Sequence, residues 1–302
     1  MSYVIECQGL SKRFGNLYAN QDIDLRVKSG EICGLIGKNG SGKSTLIHQL
    51  AGLIQPSSGT FSLLGAQSPQ NLIQARRHFG FQLTLQMRTD LSAKENLLYY
   101  SKVLGRGTEY EIDQLLNDFH LTEAGNKKYK TFSTGMKQKL SLCLALLGQP
   151  DVLVLDEPIN GLDPFYIKYL RELLLDRSQR YGTSCLISSH ILSELDLLCD
   201  HFAIIHQGRI LKHLHKNELK QFTQKNLLIE ISAPERSIAI LETELHLLPK
   251  LTADRKILIE NPSLSLEEIS KTLARYDLWA TSIQSVNSSL EDYYFQLVGS
   301  EN

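Results

Sequence analysis

Residues 31–54, EICGLIGKNGSGKSTLIHQLAGLI, place the tightest limit on what this chain can become. EICGLIG reads as a buried strand, a glycine-rich turn follows it, and STLIHQLAGLI continues as a helix. The turn itself, GKNGSGKST, matches G-x-x-x-x-G-K-[ST] in the strand-then-helix setting that this motif needs. Its glycines let the backbone wrap so that successive N–H groups converge on an anion. Gly37, Lys38, Asn39, Gly40, Ser41, Gly42, Lys43, Ser44 and Thr45 therefore read as a phosphate cradle. Lys43 brings a point charge to the β- and γ-phosphates, and the Ser44 hydroxyl reaches Mg²⁺.

A second element matches the first. In QPDVLVLDEP a nearly unbroken apolar run marks a strand covered on both faces. It delivers Asp156 to its carboxyl end, where a carboxylate can orient Mg²⁺, and Glu157 one residue beyond, where it can polarise an attacking water. His190 follows another strand, TSCLISS, and is placed to contact the γ-phosphate. The remaining histidines are scattered singly, apart from His213 and His215, which read as a solvated strand edge. FSTGMKQK, residues 132–139, is a second helix start with anion-holding character. Taken alone, Ser133 or Thr134 would serve there as an ordinary helix cap.

Around these motifs the chain divides by texture. Residues 1–30 alternate like half-buried antiparallel strands, and residues 71–150 read as mostly helical. PFYIKYLRELLLDRSQR, TSCLISS, ILSELDLLCD and HFAIIHQGRI then read as helix, strand, helix and strand of an alternating α/β core. After KNELKQFTQKN a smaller unit begins, with a short strand expected near residues 250–253. Its order βαββαβ is the ferredoxin-like one, and capping boxes Ser265/Glu268 and Ser288/Glu291 open two of its helices. The net charge of −1 gives no global field for nucleic acid or an anionic membrane. Five widely spaced cysteines without Cys-x-x-Cys read as reduced core thiols. No secretion signal stands at the N-terminus, and no apolar run approaches the roughly 20 residues of a spanning helix.

With these residues assembled, the chain resembles the nucleotide-binding subunit of an ATP-binding cassette (ABC) transporter over about residues 3–220. The resemblance rests on GKNGSGKST, FSTGMKQK, VLVLDEP, NGLD (residues 160–163) and His190, in the family's order. It implies a P-loop ATPase domain over residues 1–222, with a mixed sheet, an antiparallel β subdomain and a helical subdomain at about 85–150. A small α+β accessory domain would occupy 223–302. It implies ATP and Mg²⁺ as ligands, and Phe14 as the aromatic residue that stacks on adenine. FSTGMKQK resembles the family's signature motif, which implies that Ser133 and Gly135 contact ATP held by a second copy, with Asp163 at the same interface. The usual signature has two consecutive glycines and then glutamine, where this chain has Thr134, Gly135 and Met136. A glutamine usually joins the lobes and ligates Mg²⁺; Gln82 and Gln86 are available, and Gln82 is the expected one. STGMKQK, SAKENLLYYSKVLG and SSLEDYYFQLV resemble bacterial two-component exporters of the bacteriocin-immunity or bacitracin- and multidrug-resistance type. That implies a homodimeric ATPase motor, cytoplasmic and peripheral at the inner membrane face, with a separate membrane-spanning permease and no nucleic acid. The alternatives are a soluble ABC-type ATPase and a non-catalytic regulatory cassette; the presence of Glu157 and His190 disfavours the latter.

Overall fold

The alternating residues at the start of the chain fold as an antiparallel ribbon in the computed structural model, which describes residues 2–83, 87–222, 225–259, 264–287 and 289–299. Strands β1 (Tyr3–Phe14) and β2 (Leu17–Lys28) pair from Phe14↔Leu17 back to Tyr3↔Lys28, burying Ile5, Leu10, Ile23 and Leu25. At Ile32 the alternation stops. All five residues of β3 (Ile32–Ile36) are buried, and helix α1 (Lys43–Ala51) adds Leu46, Ile47 and Leu50 to the same core. Strand β4 (Ser58–Leu63), which no period in the sequence announced, joins β1 to complete a sheet in the order β2-β1-β4. Ser68 caps α2 (Pro69–Ala75).

The span 71–150 is not helical throughout. Strand β5 (Phe79–Gln82) interrupts it, four residues being too few to show a period. Helices α3 (Ala93–Leu104), α4 (Glu109–Asp118) and α5 (Thr134–Leu146) follow it, capped by Ser92, Thr108 and Ser133. There follow β6 (Val152–Asp156), α6 (Pro164–Tyr181), β7 (Ser184–Ser189), α7 (Leu192–Leu198), β8 (His201–His206) and β9 (Arg209–His215). HFAIIHQGRI is thus not one strand but a hairpin. Gln207 and Gly208 take φ of 45° and 78°, the pair of positive angles that a tight hairpin turn demands. The main sheet runs β5-β6-β7-β3-β8-β9, parallel except for the last pair.

The chain divides into two compact units, Met1–Lys216 and Asn217–Asn302. The division falls within α8 (Lys216–Phe222), and the second unit continues as β10 (Lys225–Ile231), α9 (Pro234–Leu245), β11 (Lys250–Leu251), β12 (Ile257–Ile259), α10 (Leu266–Arg275), β13 (Ala280–Asn287) and α11 (Leu290–Gly299). Its strands pair antiparallel in the order β11-β12-β10-β13 over a core that includes Ile229, Leu241, Ile257, Ile269 and Leu273. Ser265 and Glu268 form a capping box on α10. Ser288 lies outside the described residues. At α11 it is Ser289 and Asp292 that exchange capping bonds, at 2.8 and 3.1 Å. Trp279, the chain's one tryptophan, is 71% exposed.

Cys7, Cys33, Cys143, Cys185 and Cys199 are all free and buried, and burial is the first cause that pushes each thiol up from its ordinary value. Since the thiolate is the reactive form, a disulfide reagent should leave all five untouched in the folded protein and titrate all five in denaturant. Rapid reaction of any thiol without denaturant would show that the cores are open.

Candidate active site

Parallel register brings several strand ends to one edge of the main sheet: Asp156, Ser188 and Leu35 lie in a single row across β6, β7 and β3. Crevices beyond the carboxyl ends of such strands are where α/β sheets hold ligands. Just past β3, Gly37 is so close to β8 that a Cβ would collide with the Ile205 carbonyl and the Ser41 hydroxyl. Gly42 has φ of 108°, and a Cβ there would strike the Ala19 carbonyl. The loop is tied from outside. Asn20 Nδ2 donates to Gly42 O at 3.0 Å, Gly208 N donates to Ser41 O at 2.9 Å, and buried Gln49 donates to Asn20 Oδ1 at 2.8 Å. Tyr18, Asn39, Gly40, Ser41, Gly42, Lys43, Ser44, Thr45, Glu157 and Gly208 are among the walls of a cleft of about 560 Å³.

Lys43 is only 5% exposed, and its ammonium is folded onto its own loop. Nζ donates to Gly37 O at 2.6 Å and Lys38 O at 3.3 Å, and lies 3.2 Å from Glu157 Oε1. That last contact is ionic rather than a well-aligned hydrogen bond, since Oε1 is buried without a hydrogen-bond partner. The other carboxylate oxygen of Glu157 lies 2.9 Å from His190 Nδ1 and accepts from Asn160 Nδ2 at 3.3 Å. Glu157 reaches this position with a left-handed backbone, φ 49°. Ser188 joins the two acids: its hydroxyl donates to Asp156 Oδ1 at 2.7 Å and accepts from the Glu157 N–H at 2.9 Å. Ser188 and Asn20 were not singled out from the sequence, and Asn160 was noted only as the first residue of NGLD. Polar residues inside buried strands, as in LISSH, were the available signal.

The structure gathers residues 37–45, Asp156, Glu157 and His190, and leaves other candidates elsewhere. Phe14 is 48% exposed, beneath the Lys12 ammonium at 5.1 Å, and does not line the cleft, whereas Tyr18 on the next strand does. Ser133 and Gly135 at the start of α5 are not among the walls either; the Ser133 hydroxyl accepts from Met136 N at 3.3 Å. Asp163 caps α6 by accepting from Tyr166 N at 3.1 Å. Gln82 is buried at the end of β5, beside Leu155, with Oε1 unpartnered. Such a carbonyl oxygen, with the Ser44 hydroxyl and the Asp156 carboxylate, is the hard-donor chemistry that Mg²⁺ takes. Gln86 lies outside the described residues. A second cavity of about 470 Å³ shares no residue with the cleft and is walled by His201, His213, His215, Asp24 and Arg26, among others. His201 stacks on both other rings, at 5.3 and 4.8 Å.

Comparison with known proteins settles the family. A family described as ABC transporter matches residues 20–160. The chain is 34% identical over 302 residues to the uncharacterized ABC transporter ATP-binding protein YcbN of Bacillus subtilis (strain 168), covering 99% of this chain and 98% of that protein. It is 33% identical to the bacitracin transport ATP-binding protein BcrA of Enterococcus faecalis, covering 99% and 97%. This chain belongs to the ABC transporter ATP-binding proteins. A solved ATP-binding subunit of an ABC transporter has the cassette fold, with a TM-score of 0.66 at 31% identity, over 72% of this chain and 92% of that one. As a member of this family the cassette is an ATPase that takes ATP with Mg²⁺, and such cassettes work as dimers with a membrane permease. No helix among the described residues is long and apolar enough to cross a membrane.

Gly42→Ala should cost the cassette at least about 2 kcal/mol, because it adds both a forbidden φ and a steric clash. Chemical denaturation measures this; wild-type stability would mean that the loop does not hold this conformation.

Proposed function

We propose that this cassette is the ATP-driven motor of an exporter, that its sites form between two identical copies, and that the residues around the cleft divide the work as follows. Residues 37–45 cradle the phosphates with backbone N–H groups, and Lys43 exchanges its carbonyl partners for the β- and γ-phosphates. Ser44, Asp156 and Gln82 hold Mg²⁺. When bound, that ion offsets the negative charge shared by the phosphates. Glu157 orients the attacking water, and His190 steadies both Glu157 and the γ-phosphate. Phe14, near the tip of the β1–β2 ribbon, offers a ring to adenine, a contact worth roughly 1–3 kcal/mol. The observation that carries this reading is the Glu157 carboxylate suspended between Lys43 and His190 at the mouth of the cradle.

Ser133 and Gly135 supply the cap of a site whose cradle belongs to the other copy, and Asp163 lies at the same junction. What supports this is their absence from the cleft walls of their own chain. ATP then acts as a bridge between copies, and cleavage of its terminal phosphate releases them, the logic of nucleotide switches. In this reading the motor domain spans residues 1–222, and residues 223–302 form an accessory domain. The motor docks on the inner membrane face against a separate permease. A relative named for bacitracin transport supports peptides or drugs as the cargo class.

Lys43→Ala should lower phosphate release by at least about a hundredfold. Glu157→Gln should retain ATP affinity yet trap a dimer, seen in size exclusion with light scattering as a species of twice the protomer mass that forms only with ATP. A variant that stays monomeric with ATP would refute assembly through the nucleotide.

A further inference from the structure

One pair of hydrogen bonds is not used by the roles above. Gln138, in the second turn of α5, sends its side-chain amide across to the chain leaving β6. Nε2 lies 3.0 Å from the carbonyl oxygen of Glu157 and 2.9 Å from that of Pro158. A primary amide has two N–H donors, so one nitrogen satisfies both acceptors. These carbonyls belong to the two successive peptides that follow Glu157, the residue held at φ 49°. The same helix face meets this segment twice more. A Cβ on Gly135 would come within 2.9 Å of the Gly161 carbonyl oxygen, and the Lys139 ammonium stands 3.0 Å from the centroid of the Tyr166 ring. Positions 135, 138 and 139 have the i, i+3, i+4 spacing of one helical face. Helix α5 is therefore clasped to residues 157–166 at three points.

We propose that Gln138 is a positioning residue for ATP hydrolysis: its amide fixes the peptide after Glu157 and so aims the Glu157 carboxylate. The Glu157 backbone is held at both ends: its N–H donates to Ser188, and its carbonyl accepts from the Gln138 amide together with the Asn160 N–H at 3.2 Å. Rotation about the intervening bonds would swing the carboxylate away from His190 and Lys43. The consequence rests on the reading in which Ser133 and Gly135 cap a nucleotide held by a second copy. The helix that senses the neighbour's γ-phosphate then also sets the water-orienting acid of its own subunit. Each site becomes competent when the adjoining one is closed.

Three substitutions in the full chain test this. Gln138→Met keeps length and packing but donates nothing, Gln138→Glu only accepts, and Gln138→Lys retains N–H donors. Gln138→Met and Gln138→Glu should lower kcat about tenfold, since each removes two modest hydrogen bonds. KM for ATP should stay within about twofold, and Gln138→Lys should recover most of the loss. In a Glu157→Gln background, Gln138→Met should cause no further fall in residual single-turnover rate, the non-additivity expected when one residue acts through another. Wild-type kcat in Gln138→Met, failure of Gln138→Lys to exceed it, or an equal proportional loss with and without the Glu157 carboxylate would each overturn the proposal. Failure of Glu157→Gln to dimerise with ATP would instead count against assembly through the nucleotide, and the kcat comparison would still judge Gln138.

Discussion

Three parallel strands ending in register are what the remainder of the site depends on. β6, β7 and β3 are buried along nearly their whole length, so their relative heights are fixed by backbone pairing that water does not disturb. Register errors in such strands would misplace every side chain at this edge by a residue, and no side-chain adjustment could repair that. Because Asp156, Ser188 and Leu35 share a row, the next residues of each strand converge without further instruction: Glu157, His190 two past Ser188, and Gly37 two past Leu35. The outer ties from Asn20 and Gly208 then shape a loop whose origin the sheet has already set.

Electrostatics sharpen what the register roughs out. An ammonium as buried as that of Lys43 is tolerated only when its donors are met, and here two carbonyls and a carboxylate meet them. The same interaction holds the Glu157 carboxylate against the loop. Ser188 matters for a subtler reason. A single hydroxyl bonded to Asp156 and to the Glu157 backbone means that the two acids do not move independently. Gln138 extends that linkage to a helix whose first residues are not among the cleft walls.

Much of this arrangement was legible in the chain because its parts are local. Strand, glycine turn and helix are contiguous in GKNGSGKST, and Asp156 and Glu157 end a run whose apolar continuity announces burial. What escaped notice was set by long-range pairing. β5 is four residues long and gains its identity only from β6; β4 is recognisable only beside β1. The turn at Gln207 and Gly208 was hidden inside an apolar strand, and with it the pairing of His201 with His215, which also needs an irregularity between Ile204 and Ile205. Asn20 and Ser188 look like ordinary strand residues until their partners, 22 and 32 positions away, are known. Phe14 shows the opposite limit: its place beside the glycine of SKRFG is plain, but where the ring points is decided by the ribbon tip.

The placement of the single tryptophan has a practical side. With Trp279 in the second unit and 71% exposed, indole emission is an optical label for that unit alone. Circular dichroism, dominated by the larger unit, reports on the motor instead. Melting curves from the two signals that separate would mean that the chain comes apart in stages, and a single unfolding free energy would then describe neither part.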